Sequence, residues 1–317
     1  MQEVTIVIPN YNGKRLLENC LKTLEQQTYK DFKVLVVDNG SSDGSTEVSS
    51  EKLELEMVPL KENLGFCGAV NLGIQKTKTP YLILLNNDTE ADRHFVEKLL
   101  AGIKKSERIF SCGAQMIDFK NHEMLDNAGD LYTAMGWAVA RGKGKKCEDF
   151  EQAVRVFSCC AGAAIYHMDV LKKIGGLDEQ HFAYLEDVDL GYRARIDGFE
   201  NWYTPEAKVY HVGSATTGTR YNEKKVFLAA RNTIFVIYKN MPLLQLFINL
   251  PFILAGMIVK TLFFVKKGFV KDYWSGICEG VRDCHKCRKV SFTGKNLPHY
   301  LKIQLELWGN IGRILGA

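Results

Sequence analysis

The sequence predicts an α/β fold built on a mostly parallel central sheet, followed by a helical region of different character. Three observations carry that expectation. Apolar, strand-like runs alternate with helically spaced apolar residues through the first ninety positions. The runs are apolar throughout, as strands covered on both faces are. Charge is also unevenly divided. Residues 239–317 hold 12 Lys/Arg and 4 Asp/Glu, a balance of +8, which leaves 29 − 33 = −4 for residues 1–238. Across 317 residues the hydrophobic content is 46% and the charged content 25%, which excludes a disordered chain and suffices for one large or two ordinary domains.

The first elements read in order. VTIVIP (4–9) is a β-branched strand closed by Pro9, and Leu16, Leu17, Cys20, Leu21 and Leu24 then fall at helical spacing. FKVLVVDNG (32–40) is a second buried strand ending in Asp38, Asn39 and Gly40. SSDGS (41–45) is turn chemistry. LEMVPL (55–60) is a third strand, Phe66, Ala69, Val70, Gly73 and Ile74 mark the inner face of a helix, and YLILLN (81–86) is the fourth strand. Ligands of such sheets bind beyond the carboxyl ends of the strands. Asn10 to Asn12, Asp38 to Gly40 and Asn86 to Asp88 should therefore face one crevice.

From about 108 to 215 the pattern is less regular. Residues 159–179 suggest a small-residue segment and a short helix ended by Gly175 and Gly176. LEDVDLGYRARIDGF (185–199) suits a helix starting near its acids, and AKVYHVG (207–213) a strand with His211 at its end. Residues 241–265 have a single charge, Lys260, and could span a bilayer by length. Pro251, Asn249, Gln245 and Lys/Arg on both flanks favour helices lying in a membrane interface; a span, a soluble core or a dimer face are the alternatives. MQEVTIVIPN carries no basic n-region or cleavage site, so a cytosolic start is expected, and the nine Cys are expected as thiols.

Asp88, beside amides at a cleft edge, suits Mg²⁺ or Mn²⁺ shared with phosphate oxygens; a helix N-cap is its alternative. Asp38 could accept from a ribose hydroxyl or a base N–H, or serve an Asx turn. Glu186, Asp187 and Asp189 could supply a general base, or a negative first turn favoured by the helix dipole. His211 could bind a metal or phosphate, or be structural. CEGVRDCHKC (278–287) is cramped for zinc and lacks a second ligand pair. Cys159 and Cys160 read as core. No G-x-G-x-x-G or Walker A loop supports a dinucleotide or NTPase site, and no nucleic-acid partner is expected.

Together these pieces resemble the family 2 glycosyltransferases with the GT-A fold, especially their rhamnosyltransferase-like branch. IPNYNG (8–13), VVDNGSSDGS (36–45), ENLGFCGAVNLGI (62–74), YLILLNNDTE (81–90), GGLDEQHFAYLEDVDLGYRARIDGF (175–199) and HVGSAT (211–216) occur in the expected order. RNTIFVIYKNMP (231–242) looks like the stretch that leads such enzymes to the membrane. The resemblance implies a GT-A catalytic domain over 1–220, with a nucleotide-binding half (1–90) and an acceptor and catalytic half (91–220). A basic, apolar membrane-association region follows over 221–317.

The resemblance also implies an inverting transfer from a nucleotide-diphosphate sugar. Pro9, Asn10, Tyr11, Asn12, Asp38, Asn39, Asn63, Gly65, Asn71, Asn86 and Asn87 would line the donor pocket. Asn86 replaces the first acid of the DxD-type motif, so Asp88 would carry the Mn²⁺ or Mg²⁺, with His211 completing that site. Asp187 would be the base, with Glu186 beside it. The branch favours dTDP-L-rhamnose as donor and a lipid-linked saccharide as acceptor, at the inner face of the cell membrane. UDP-GlcNAc, UDP-Gal or UDP-Glc as donor, a catalytically silent sugar-nucleotide-binding subunit and a homodimer stay open. One apolar segment is too few for the channel of a processive synthase, and no QxxRW-type motif follows the ED pair.

Overall fold

The computed structural model describes residues 2–213 and 221–315. Ser214 to Thr216 of the HVGSAT motif, and the expected boundary at 220, lie outside the described residues. The chain opens with β1 (Val4–Asn10), α1 (Lys14–Glu25), β2 (Phe32–Asp38), β3 (Leu55–Pro59), α2 (Gly65–Lys76) and β4 (Tyr81–Leu85). Then come β5 (Thr89–Ala91), α3 (Phe95–Ile103), β6 (Ile109–Asp118), β7 (Leu125–Asn127), β8 (Asp130–Tyr132), β9 (Ala138–Ala140), β10 (Val154–Val156) and β11 (Ala163–His167). The rest is α4 (Met168–Ile174), α5 (Glu186–Ile196), β12 (Glu200–His211), α6 (Glu223–Asn240), α7 (Leu243–Lys267), α8 (Val270–Asp283) and α9 (Leu297–Leu315).

The main sheet runs β10-β12-β6-β11-β4-β1-β2-β3, with β5 on β12 and β7 on β6. β1 pairs in parallel with β2 and β4, and β2 with β3. β11 enters antiparallel between β4 and β6. Side chains alternate between two cores. Val4, Ile6 and Ile8 join α1 and α3 on one face, while Val7 joins Cys67, Ala69 and Val70 of α2 on the other. That two-sided burial is the reason these strands are apolar at nearly every position. Each fully buried Val, Leu or Ile contributes roughly 1.5–3 kcal/mol, so the sheet register is strongly specified.

The strand expected over 207–213 is the second half of β12, which begins at Glu200 and carries an irregularity between Thr204 and Lys208 against β6. The C-terminal helices pack onto the sheet domain through α5. Val188, Tyr192 and Ile196 share a core with Val236 and Ile237 of α6, Ile253 of α7, and Tyr300, Ile303 and Leu307 of α9. α8 lies tight on α6 because Gly276 has no side chain: a Cβ there would stand 2.3 Å from the Phe227 carbonyl oxygen.

α7 is inverted relative to a soluble helix. Its buried positions are Gln245, Asn249, Ile253 and Gly256. Gln245 accepts a hydrogen bond from the Tyr192 hydroxyl (2.9 Å), and Asn249 exchanges two with Gln304 (2.9 and 2.7 Å). Leu244, Phe247, Leu254, Ile258 and Leu262 are exposed on the other faces. By length and composition α7 could cross a membrane.

Candidate active site

The parallel strands deliver their polar ends to one edge of the sheet. Asn10 closes β1, and its amide donates to Asp38 Oδ1 at 2.8 Å. Asp38 is fully buried and also accepts from the Ser41 hydroxyl (2.6 Å) and the Ser41 amide (2.9 Å). A carboxylate has about four acceptor sites. Three are used, which leaves one acceptor site on Oδ2 beneath the surface of the crevice. Asn12, at φ +48, fastens the same turn: its amide N–H donates to Ser41 Oγ and its side-chain oxygen accepts from Ser42 N, both at 2.8 Å. Tyr11 is exposed at the mouth.

Asn39 builds the next wall. Its side chain donates to Asn63 Oδ1 (3.0 Å) and the Gly65 carbonyl (2.9 Å) and accepts from Leu64 N (2.8 Å). Gly65 is required here. It sits at φ +77, and a Cβ would fall 2.5 Å from the Phe182 ring. Asn71 is committed to the fold: it bonds Leu177 N (2.9 Å), Leu177 O (2.8 Å) and Glu179 (3.0 Å). It therefore positions the 177–179 segment.

β4 ends in the NND turn. Asn87 donates to Asn10 Oδ1 at 2.6 Å, tying the ends of β1 and β4 together. Asn86 N donates to the Gly162 carbonyl at 2.8 Å. Asp88 is 8% exposed, and its Oδ1 lies 3.3 Å from His211 Nε2. The other ring nitrogen, Nδ1, lies 2.7 Å from Asp126 Oδ2, and Asp126 also pairs with Lys143. Burial opposes a charged His211, but its hydrogen bonds to Asp126 and Asp88 outweigh it and hold the imidazolium up to about 9. Asp126, despite burial, is held down to about 2 by His211 and Lys143.

This geometry fits a hard divalent cation. One carboxylate and one imidazole nitrogen face each other, and the second nitrogen is fixed by a carboxylate, the arrangement that orients metal-binding histidines. A diphosphate would supply the remaining oxygens. Among the described residues no cluster of three or more His, Cys, Asp or Glu forms an all-protein metal cage.

The three acids of the ED segment separate completely. Asp189 is fully buried against Arg193 (2.9 Å), Lys239 (2.8 Å) and Asn240 (2.8 Å). Although buried, its carboxyl is held well below the usual range by those cations. It anchors α5 to α6. Asp187 points back to the sheet, with Oδ1 accepting from Val188 N at 2.8 Å and Oδ2 from Ala161 N at 3.4 Å. Residues 161 and 162 thus join Asp187 to Asn86. Burial raises Asp187, against those amides. Burial and then the Asp187 charge push Glu186 up to about 8, and its Oε2 has no hydrogen-bond partner among the described residues.

The approach to α5 is strained. Phe182, Tyr184 and Leu185 all have positive φ, at +62, +75 and +64. Such residues cost of order 1–3 kcal/mol each and persist only where the surroundings impose them. α6 does so. Asn232 donates to the carbonyls of His181 (3.0 Å), Ala183 (2.8 Å) and Tyr184 (2.8 Å). Arg231 adds bonds to Gln180 and His181 carbonyls.

Sequence reasoning missed Asp126 and Asp130. Asp130 is buried, accepts from Asn127 (2.8 Å) and Ser158 (3.2 Å), and is pushed up to about 8 by burial and then by Asp187. Both lie in DNAGD, which has no catalytic spacing; only the density of acids and amides there was a signal. Of the two adjacent cysteines, Cys159 is buried as expected, while Cys160 is partly exposed.

A mixed α/β sheet with this crevice defines the GT-A class. Residues 5–175 match the Glycosyl transferase family 2 domain, more than half of the chain. The protein belongs to that family and is a glycosyltransferase. It is 24% identical over 263 residues to the N-acetylglucosaminyl-diphospho-decaprenol L-rhamnosyltransferase of Mycobacterium tuberculosis (strain ATCC 25618 / H37Rv), covering 72% of this chain and 84% of that protein. The mannosyltransferase PcManGT from Pyrobaculum calidifontis, solved with GDP-Man and Mn²⁺, shares the fold at TM-score 0.56 and 14% identity, over 89% of this chain and 87% of that one. S. aureus TarS 1-349 with UDP-GlcNAc does so at TM-score 0.55 and 12% identity, over 92% and 94%.

Proposed function

We propose that this chain is an inverting, metal-dependent glycosyltransferase. It moves a sugar, L-rhamnose from dTDP-rhamnose, to a lipid-linked saccharide at the inner face of the cell membrane. One observation carries the reading: residues 161 and 162 bond Asp187 on one side and Asn86 on the other, so that a base and a diphosphate-binding turn share one crevice.

The nucleotide lies along Pro9 to Asn12, Asp38, Asn39, Asn63 and Gly65, with Asp38 Oδ2 accepting from ribose or base. Asn86 and Asn87 contribute hydrogen bonds rather than charge. Asp88 and His211 would hold Mn²⁺ or Mg²⁺, which when bound neutralises charge on the leaving diphosphate. Asp187 takes the proton of the acceptor hydroxyl while that oxygen attacks the anomeric carbon from the face opposite the diphosphate. The raised proton affinity of this half-buried carboxylate suits that task. No covalent enzyme intermediate forms, and configuration inverts.

Residues 221–317 act as the membrane-association region. Large apolar side chains along α7 from Leu243 to Val265 are exposed, and the Lys/Arg excess attracts anionic lipid at roughly 1 kcal/mol per residue near the surface. The test is transfer to a lipid-linked saccharide from dTDP-rhamnose, UDP-GlcNAc, UDP-Gal and UDP-Glc, with EDTA and Mn²⁺ add-back. Transfer from dTDP-rhamnose that EDTA stops and Mn²⁺ restores is expected. Preference for a UDP-sugar would overturn the donor, full activity without metal would overturn the role of Asp88, and no turnover of any donor would indicate a silent subunit.

A further inference from the structure

A cleft of about 740 Å³ opens between the amino-terminal turns of α7 and α9. Leu244, Ile248, Phe292 and Leu301 are among its apolar walls, and all four are exposed. The cleft is continuous with the outward apolar face of α7. It is also continuous with a stripe on α9 formed by Leu297, Leu301, Leu305 and Trp308, which are all exposed. Gln245, Lys289, Ser291 and Gln304 interrupt the apolar lining. Lys289 stands at the cleft; its ammonium lies 4.9 Å from the centre of the Tyr238 ring and has no ion-pair partner among the described residues. Gln245 is 5% exposed, and its Nε2 has no hydrogen-bond partner among the described residues.

We propose that this cleft binds the isoprenoid chain of a lipid-linked acceptor, with the lipid phosphate at Lys289. The inference rests on the reading of the protein as a transferase working on a lipid-linked saccharide, and assigns that lipid a place. Charge favours it: residues 286–302 contain Lys286, Arg288, Lys289, Lys295 and Lys302 and no acid, so an anionic head meets only cations in this segment. Chemistry favours a hydrocarbon over a peptide. An extended peptide would bury backbone N–H and C=O groups that the apolar walls cannot satisfy, whereas a lipid chain has none. Position favours the acceptor over bulk lipid. Gln245 in the cleft wall accepts from Tyr192, on the same helix that begins with Glu186 and Asp187. Val290, also in the wall, donates its N–H to the carbonyl of Lys239, whose ammonium holds Asp189. The cleft is therefore fastened to the helix that carries the base.

The experiment uses the full-length protein on vesicles of phosphatidylcholine and phosphatidylglycerol, with a polyprenyl diphosphate bearing a diazirine in its chain. After irradiation, labelled peptides are mapped by mass spectrometry, and vesicle flotation is measured in parallel. Labelling should concentrate in 243–248 and 289–304 and be competed by unlabelled polyprenyl diphosphate. Leu301→Trp, which fills the cleft from an exposed position, and Lys289→Gln should each cut it about tenfold while flotation is retained. Labelling spread along Leu254 to Val265, or unchanged by both variants, would overturn the proposal. So would equal competition by phosphatidylglycerol, which would assign the cleft to bulk lipid. Wild-type protein that does not float would overturn the membrane reading along with it, so the two failures are distinguishable.

Discussion

His211 Nε2 faces Asp88 Oδ1 at 3.3 Å, and this pair joins the end of β12 to the end of β4. Asp126 on the far side of the ring holds Nδ1. For Nε2 to take a cation it must first give up the proton that it shares with Asp88; Asp126 then keeps the remaining proton on Nδ1 and the ring in place. Asp126→Asn should weaken Mn²⁺ binding by about 10–100-fold, read by calorimetric titration in the presence of dTDP. Turnover at saturating Mn²⁺ should fall much less. Unchanged affinity would remove Asp126 from this role.

Asp187→Asn keeps the shape of the side chain and its acceptor oxygen toward Val188, but cannot take a proton. Transfer should drop by about 10²–10⁴-fold, with donor binding retained in the same calorimetric assay. More than a tenth of wild-type turnover would sink the assignment of the base.

Glu186 gives a stability prediction with a definite sign. Its folded value, about 8, lies above the ordinary 4.5. Between those values the folded state binds more protons than the unfolded state, so folding stability falls as pH rises through the window. Glutamine cannot ionise and escapes that loss. Glu186→Gln should therefore gain on the wild type between pH 4.5 and pH 8, by up to roughly 5 kcal/mol, measured from urea midpoints at the two ends. A difference that does not change with pH would contradict it.

Asn232 holds three carbonyls of the strained segment before α5. Asn232→Asp removes the donors without opening a cavity. It should lower stability by about 1–3 kcal/mol and, by loosening the approach to Asp187, cut turnover about tenfold or more. Donor affinity should change little. A variant of normal turnover would mean that the rest of the fold holds residues 182–185 unaided.

The outward face of α7 should govern membrane binding without governing folding. Leu254 and Leu262 are exposed, so Leu254→Lys with Leu262→Lys should leave the thermal midpoint within a few degrees. Co-flotation with anionic vesicles should be largely lost, since a lysine inserted into lipid costs about 2.5–3.5 kcal/mol at depth. Undiminished flotation would place the membrane contact elsewhere.

The strands β1, β2 and β4 were readable because both faces of the sheet are buried, and their polar exits at Asn10, Asp38 and Asn86 marked the crevice. β6 was not. Its Ser111 and Gln115 break the apolar run, and they are buried only because Asn201 and Tyr203 of β12 meet them, at 2.8 and 3.0 Å. Such partners are ninety residues away and leave no local signal.

Sequence alone determined which segments alternate, which acids stand at strand ends, and that the last eighty residues are basic and apolar. Residue pattern alone did not rank Glu186, Asp187 and Asp189, and the expectation for Asp187 came from the family resemblance. Tertiary contacts set Asp189 apart. Arg193 and Lys239 neutralise Asp189 and make it structural, while Asp187 turns toward Ala161 and the crevice. Likewise, composition gave α7 its hydropathy, but only packing showed its amides facing inward and its leucines outward. A residue's role here depends on what its neighbours in space do to its charge and its solvent, and those neighbours are set by the fold.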